Sequence, residues 1–97
     1  MIQSFADEGT EDIYHGKNSN KARKTLPSIL MTVANRKLGM LDAAHRLDDL
    51  RIPPANRLEA LAGNLKGFHS IRINNQYRII FKWTNIGIEE VKITDYH

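Results

Sequence analysis

The chain is 97 residues long with a formal net charge of +3; it is 41% hydrophobic and 26% charged and contains no cysteine. That length supports one domain with a modest core and not two, and the lack of cysteine excludes disulfides and thiolate chemistry and removes the usual structural zinc ligands. His15, His45, His69 and His97 are not spaced as metal ligands and no 18-residue apolar run or leader pattern occurs, so an unexported, soluble protein with no cofactor and no membrane contact is expected.

In chain order, Met1 to Phe5 is strand-compatible and suits an edge strand. Thr10, with Glu11 and Asp12 behind it, predicts a helix start whose acidic residues complement the positive end of the helix dipole; Gly16 ends it. Residues 17–24 are polar and read as a loop, with Lys17, Lys21, Arg23 and Lys24 solvated. The main helix follows. Thr25 caps it, Pro27 is tolerated in the first turn, and Leu30, Val33, Ala34, Leu38, Leu41 and Ala44 form one apolar stripe over about five turns. Arg36, Lys37, Asp42 and Arg46 lie mostly off that stripe, and Gly39 marks a close approach to the sheet. Residues 45–52 add a further turn, which Pro53-Pro54 stops. A short strand through Arg57-Leu58-Glu59 opens the sheet region, and Gly63 and Gly67 bracket a turn.

From His69 onward apolar and polar residues alternate as in a half-buried hairpin. A three-residue loop at Asn74-Asn75-Gln76 sets Ile71 against Ile79 and Arg72 against Arg78, whereas a two-residue loop puts a charge into the apolar face. Asn85-Ile86-Gly87 reads as a second three-residue loop with a glycine bulge, pairing Phe81 with Val91, Ile79 with Ile93 and Arg78 with Thr94. The order β-α-α-β-β-β gives an α+β domain with helices on one face of a mainly antiparallel sheet. The other face carries Arg72, Arg78, Lys82, Lys92 and Tyr96. Two arginines directly opposite each other repel at a cost of roughly 0.2–1 kcal/mol, which an anion across the face would remove; a phosphodiester suits the bidentate geometry of guanidinium. The alternative is a solvated face whose arginines splay or pair with Glu89 or Glu90.

Cleaving RNA without a metal needs deprotonation of a 2′-hydroxyl, stabilisation of the crowded phosphorane and protonation of the leaving 5′-oxygen. Arg72 and Arg78 offer the charge, and Asp95, Tyr96 and His97 offer proton carriers. Pro54-Ala55-Asn56-Arg57-Leu58-Glu59-Ala60-Leu61-Ala62-Gly63, then Gly67, Ser70-Ile71-Arg72-Ile73-Asn74, Gln76-Tyr77-Arg78-Ile79, Phe81, Trp83 and a closing Asp95-Tyr96-His97 together resemble the HigB-type toxins of bacterial type II toxin–antitoxin modules, in the RelE/ParE superfamily.

The resemblance implies a RelE-like (microbial RNase-like) fold and a messenger RNA interferase acting in the ribosomal A site in the cytoplasm. It also implies neutralisation by a HigA-type helix-turn-helix antitoxin, with operator DNA bound only through the toxin–antitoxin complex. On this resemblance Arg78 matches the arginine at the scissile phosphate, Asp95, Tyr96 and His97 match the C-terminal catalytic group, and Arg72 sits near another basic position. Glu59 and Ala62 stand where family members often have a histidine and a lysine; Arg57, Lys66 or His69 are the candidate substitutes, with Lys82 a further RNA contact. A gyrase inhibitor of ParE type on the same fold, or an RNA-binding module without catalysis, are the alternatives, because fold alone does not separate them. The ribonuclease reading predicts that Arg78→Ala removes activity while leaving the fold intact.

Overall fold

A computed structural model describes residues 1–95 of the chain. Over these residues α1 (Glu8–Tyr14), α2 (Asn20–Thr25) and α3 (Met31–Ala43) precede β1 (Glu59–Ala60), β2 (Phe68–Arg72), β3 (Tyr77–Thr84) and β4 (Gly87–Asp95). The strands form one antiparallel sheet in the order β1-β2-β3-β4. Residues 2 and 5 make parallel bridges to Ile88 and Val91, so the N-terminal segment does run along the sheet edge.

Asp7, not Thr10, caps α1, its carboxylate accepting the Thr10 N–H at 2.7 Å. Thr10 is instead buried, and its Oγ1 accepts the Ile93 N–H of β4 at 3.0 Å. The segment expected to be a loop forms α2, because Ser19 supplies an N-cap acceptor for the Ala22 N–H and Ala22 packs into the core. The long helix divides: Ser28–Leu30 is a single tight turn after Pro27, and α3 starts at Met31. From α3, Ala34, Leu38 and Leu41 meet Ile71, Ile79, Phe81, Val91 and Ile93 in the core. Removing such a leucine costs about 2–5 kcal/mol. The first strand falls at Glu59–Ala60, two residues beyond the expected start.

The β2–β3 register is as the alternation predicts, Ile71 opposite Ile79 and Arg72 opposite Arg78. The β3–β4 connection differs. Thr84 pairs with Gly87 and Trp83 with Ile88, leaving a two-residue turn, and a bulge restores the expected pairs of Ile79 with Ile93 and Arg78 with Thr94. The irregularity centres on Glu90, whose φ is 54°. One extra residue there lets both Ile88 and Val91 face the core, three positions apart. The Glu90 N–H is accepted by Ser4 Oγ at 2.9 Å.

Gly39 does not approach the sheet; a side chain there would meet nothing within 4 Å. The close packing is at Gly9, where an added carbon would sit 2.8 Å from the Lys21 carbonyl oxygen of α2. Gly39→Ala is therefore expected to stabilise the fold by up to about 1 kcal/mol through helix propensity, and Gly9→Ala to cost about 1–3 kcal/mol by overpacking. Urea unfolding of the two variants checks both signs, and the reverse order would refute the packing described.

Candidate active site

Alternation puts Ser70 and Arg72 of β2 and Arg78, Ile80 and Lys82 of β3 on the side of the sheet away from the helices. Glu59, paired with Ser70, extends that face onto β1. Arg78 lies on this face but is only 7% exposed, so its donors have to be met by the protein. Its Nε donates to Ser70 Oγ at 2.7 Å, and Nη2 donates to the Arg57 carbonyl at 2.7 Å. Glu59 Oε1 stands 3.9 Å from the same Nη2. Because Glu59 is half-exposed, that ion pair contributes under about 1 kcal/mol.

The Arg57 carbonyl is aimed by an unusual backbone. Arg57 is left-handed, φ 48° and ψ 56°, at a cost of about 1–3 kcal/mol for a non-glycine residue. Asn56, fully buried, holds the segment down: its Nδ2 donates to the carbonyls of Leu50 and Ile52 at 3.2 and 3.4 Å. Lys37, placed off the apolar stripe by its spacing, is 6% exposed. Its Nζ donates to Asn56 Oδ1 at 2.9 Å and to the Arg72 carbonyl at 2.6 Å. Burial, then the charges of Arg36, Arg72 and Arg78, hold the Lys37 ammonium below the usual lysine value.

Of the residues singled out from sequence, Arg78, Arg72, Lys82 and Glu59 share this face. The two facing arginines diverge: Arg72 turns to Asn75 Oδ1 in the β2–β3 loop while Arg78 turns to Ser70 and Arg57. Arg57 reaches the cluster through its main chain, its side chain lying exposed; Lys66 is exposed on the turn after Gly63–Leu65. Lys82 sits 5.5 Å from the centroid of the Phe68 ring and 3.7 Å from Glu90. His69 does not join them. Strand parity turns it to the helix-covered side, where it stacks on Phe81 at 6.1 Å. Asp95, opposite Tyr77, also falls on that side, and its Oδ2 accepts from Gln76 Nε2 at 3.0 Å. Tyr96 and His97 lie outside the described residues. A cleft lined by Ile13, Lys17, Met31 and Asn35 on the helical side shares no lining residue with this cluster.

A model of the family described as RelE-like toxin of type II toxin-antitoxin system HigB matches residues 3–97. The chain belongs to the HigB-like toxin family. It is 47% identical over 85 residues to Toxin HigB-1 of Vibrio cholerae, an alignment covering 88% of this chain and 86% of that one. Among solved structures it is similar to the YoeB-YefM toxin-antitoxin complex from Staphylococcus aureus, with a TM-score of 0.62, 22% identity and coverage of 100% and 95%. Against YafQ from E. coli the TM-score is 0.61 at 13% identity, covering 98% and 91%. These likenesses give the toxin a RelE-like fold.

Sequence reading missed Lys37, Asn56 and Ser70, and it treated Glu59 as a loss. Arg78→Ala, expected to remove activity and leave the fold intact, also strips buried Ser70 and the Arg57 carbonyl of a donor, which costs about 1–3 kcal/mol of stability. Because the folded state lowers the Lys37 pKa, the unfolded chain binds more protons at alkaline pH. Stability from this group therefore rises with pH between the folded value and the ordinary 10.5, the penalty being full below that window. Urea unfolding from pH 8 to 10.5 should show a rise in the wild-type protein relative to Lys37→Met. A constant difference between the two proteins across that range would contradict it.

Proposed function

We propose that this toxin is an endoribonuclease that cuts translated messenger RNA on the ribosome. What supports this most directly is the half-exposed Glu59 carboxylate beside the embedded Arg78 guanidinium, on the face of the sheet that the helices leave uncovered. The Glu59 carboxylate takes the proton of a ribose 2′-hydroxyl. The 2′-oxygen then bonds to the adjacent phosphorus, and the positive charge of Arg78, with Arg72 beyond it, stabilises the developing phosphorane. The 5′-oxygen leaves with a proton from the Tyr96-His97 end, to which the resemblance assigns that role. The products are a 2′,3′-cyclic phosphate and a 5′-hydroxyl.

Glu59 thus fills the part that a histidine or lysine plays in many relatives, since the step needs an acceptor in reach of the hydroxyl and not one residue type. The ribosome contributes orientation, which alone lowers a barrier by roughly 7–11 kcal/mol. The partner is a HigA-type helix-turn-helix antitoxin, with operator DNA contacted only through the complex; support comes from membership of a type II toxin family and from the S. aureus YoeB fold being solved with the antitoxin YefM.

Glu59→Gln is isosteric and exposed, so stability should stay within about 0.5 kcal/mol while cleavage falls by about 10²–10⁴-fold. Mapping message ends in a bacterial translation extract reads this out. Undiminished cleavage by Glu59→Gln removes the carboxylate from the mechanism, and intact messages with the wild-type toxin defeat the ribonuclease assignment itself. Co-expression with a helix-turn-helix protein encoded beside the toxin gene should restore growth and yield a stable complex on gel filtration. Continued growth arrest with no complex would exclude that protein as the antitoxin.

A further inference from the structure

We propose that Lys37 is a positioning residue for Arg78, acting from the helical layer through the sheet; its importance to cleavage rests on the ribonuclease reading above, its action on Arg78 does not. The Lys37 ammonium makes two hydrogen bonds, and each ends on a neighbour of the arginine. One goes to Asn56 Oδ1 at 2.9 Å, next to the left-handed Arg57 whose carbonyl receives Arg78 Nη2 at 2.7 Å. The other goes to the Arg72 carbonyl at 2.6 Å, and Arg72 is the residue opposite Arg78 in the β2–β3 ladder.

The two arms therefore tie α3 both to the segment that accepts from the guanidinium and to the strand beside it. A buried ammonium surrounded by the cations Arg36, Arg72 and Arg78 is an unfavourable choice for core filling alone. Methionine would occupy much the same volume without the charge. What methionine cannot do is donate to two acceptors on different segments, and a carbonyl aimed from a strained residue needs such a clamp to stay in one orientation. Lys37 touches no reacting atom in this scheme; it fixes where the charge of Arg78 sits.

The test is nitrogen-15 NMR of the arginine side chains in wild-type, Lys37→Met, Lys37→Gln and Lys37→Arg proteins, paired with cleavage kinetics in the translation extract. The Arg78 Nε–H, held by Ser70 Oγ, should give a slowly exchanging, well-dispersed signal in the wild type. In Lys37→Met that signal should move and exchange at least tenfold faster, while the backbone amides of β2–β4 keep their dispersion. The turnover number should fall at least tenfold with KM within twofold, and Lys37→Arg should recover most of it. If Lys37→Met does not fold, Lys37→Gln decides by the same readout. An Arg78 signal unchanged in the folded variant overturns the proposal whatever the kinetics. A moved signal in a protein whose wild type cuts no message leaves the positioning intact and removes the ribonuclease reading alone.

Discussion

The hydrogen bonds that hold the Arg78 guanidinium set the demands that the surrounding chain meets. A charge with so little exposure is tolerated only where its donors find acceptors and its surroundings stay polar. Ser70 on the neighbouring strand gives one acceptor. The Arg57 carbonyl gives another, which requires the chain after Pro53-Pro54 to turn left-handed and pass close to β3. β1, two residues long, follows that passage and pairs Glu59 with Ser70 and Ala60 with His69. Glu59 arrives beside the arginine as a consequence of the same turn.

A second constraint acts at the far edge of the sheet. Without the extra residue at Glu90, strict alternation would turn either Ile88 or Val91 to solvent; with it, both are fully buried. The bulge frees an N–H, and Ser4 takes it, while Gln3 and Ala6 donate to the Ile88 and Val91 carbonyls at 2.7 and 2.9 Å. The N-terminal segment thereby shields the β4 edge. Gly87 permits the approach, since a side chain there would stand 2.5 Å from the Met1 carbonyl oxygen. The arginine face and the N-terminal clasp are linked by β3 and β4, so the register that presents Arg78 is fixed from both ends of the chain.

Periodicity made the β2–β3 register legible, because only a three-residue loop keeps Ile71, Ile73, Ile79 and Phe81 on one face. The sheet's two-sidedness and the side on which Arg78 lies followed from it. The second turn was not legible in the same way. Asn85-Ile86-Gly87 suits a glycine-bulge loop, and the actual bulge depends on Ser4, more than eighty residues distant in sequence. Lys37 was hidden for a related reason: a long cation next to a helical stripe normally snorkels outward, and only the folded position of Asn56 and of the Arg72 carbonyl makes an inward course favourable. The ring of His69 was misplaced by treating residue type as a guide to role when strand parity already opposed it to Arg78.

The cluster is rich in cations. Among the described residues, Lys37, Arg72 and Arg78 bring three cations to adjacent segments, and the Glu59 carboxylate stands 3.9 Å from Arg78 Nη2, longer than a hydrogen bond. At this distance Glu59 stands beside the arginine with its carboxylate half in solvent. On the ribonuclease reading proposed above, a phosphodiester entering the face would bring negative charge to Arg78 and set its neighbouring hydroxyl beside the carboxylate. The left-handed Arg57 and the depressed Lys37 are local costs of the kind that folds carry where a charged group has to be held in one place.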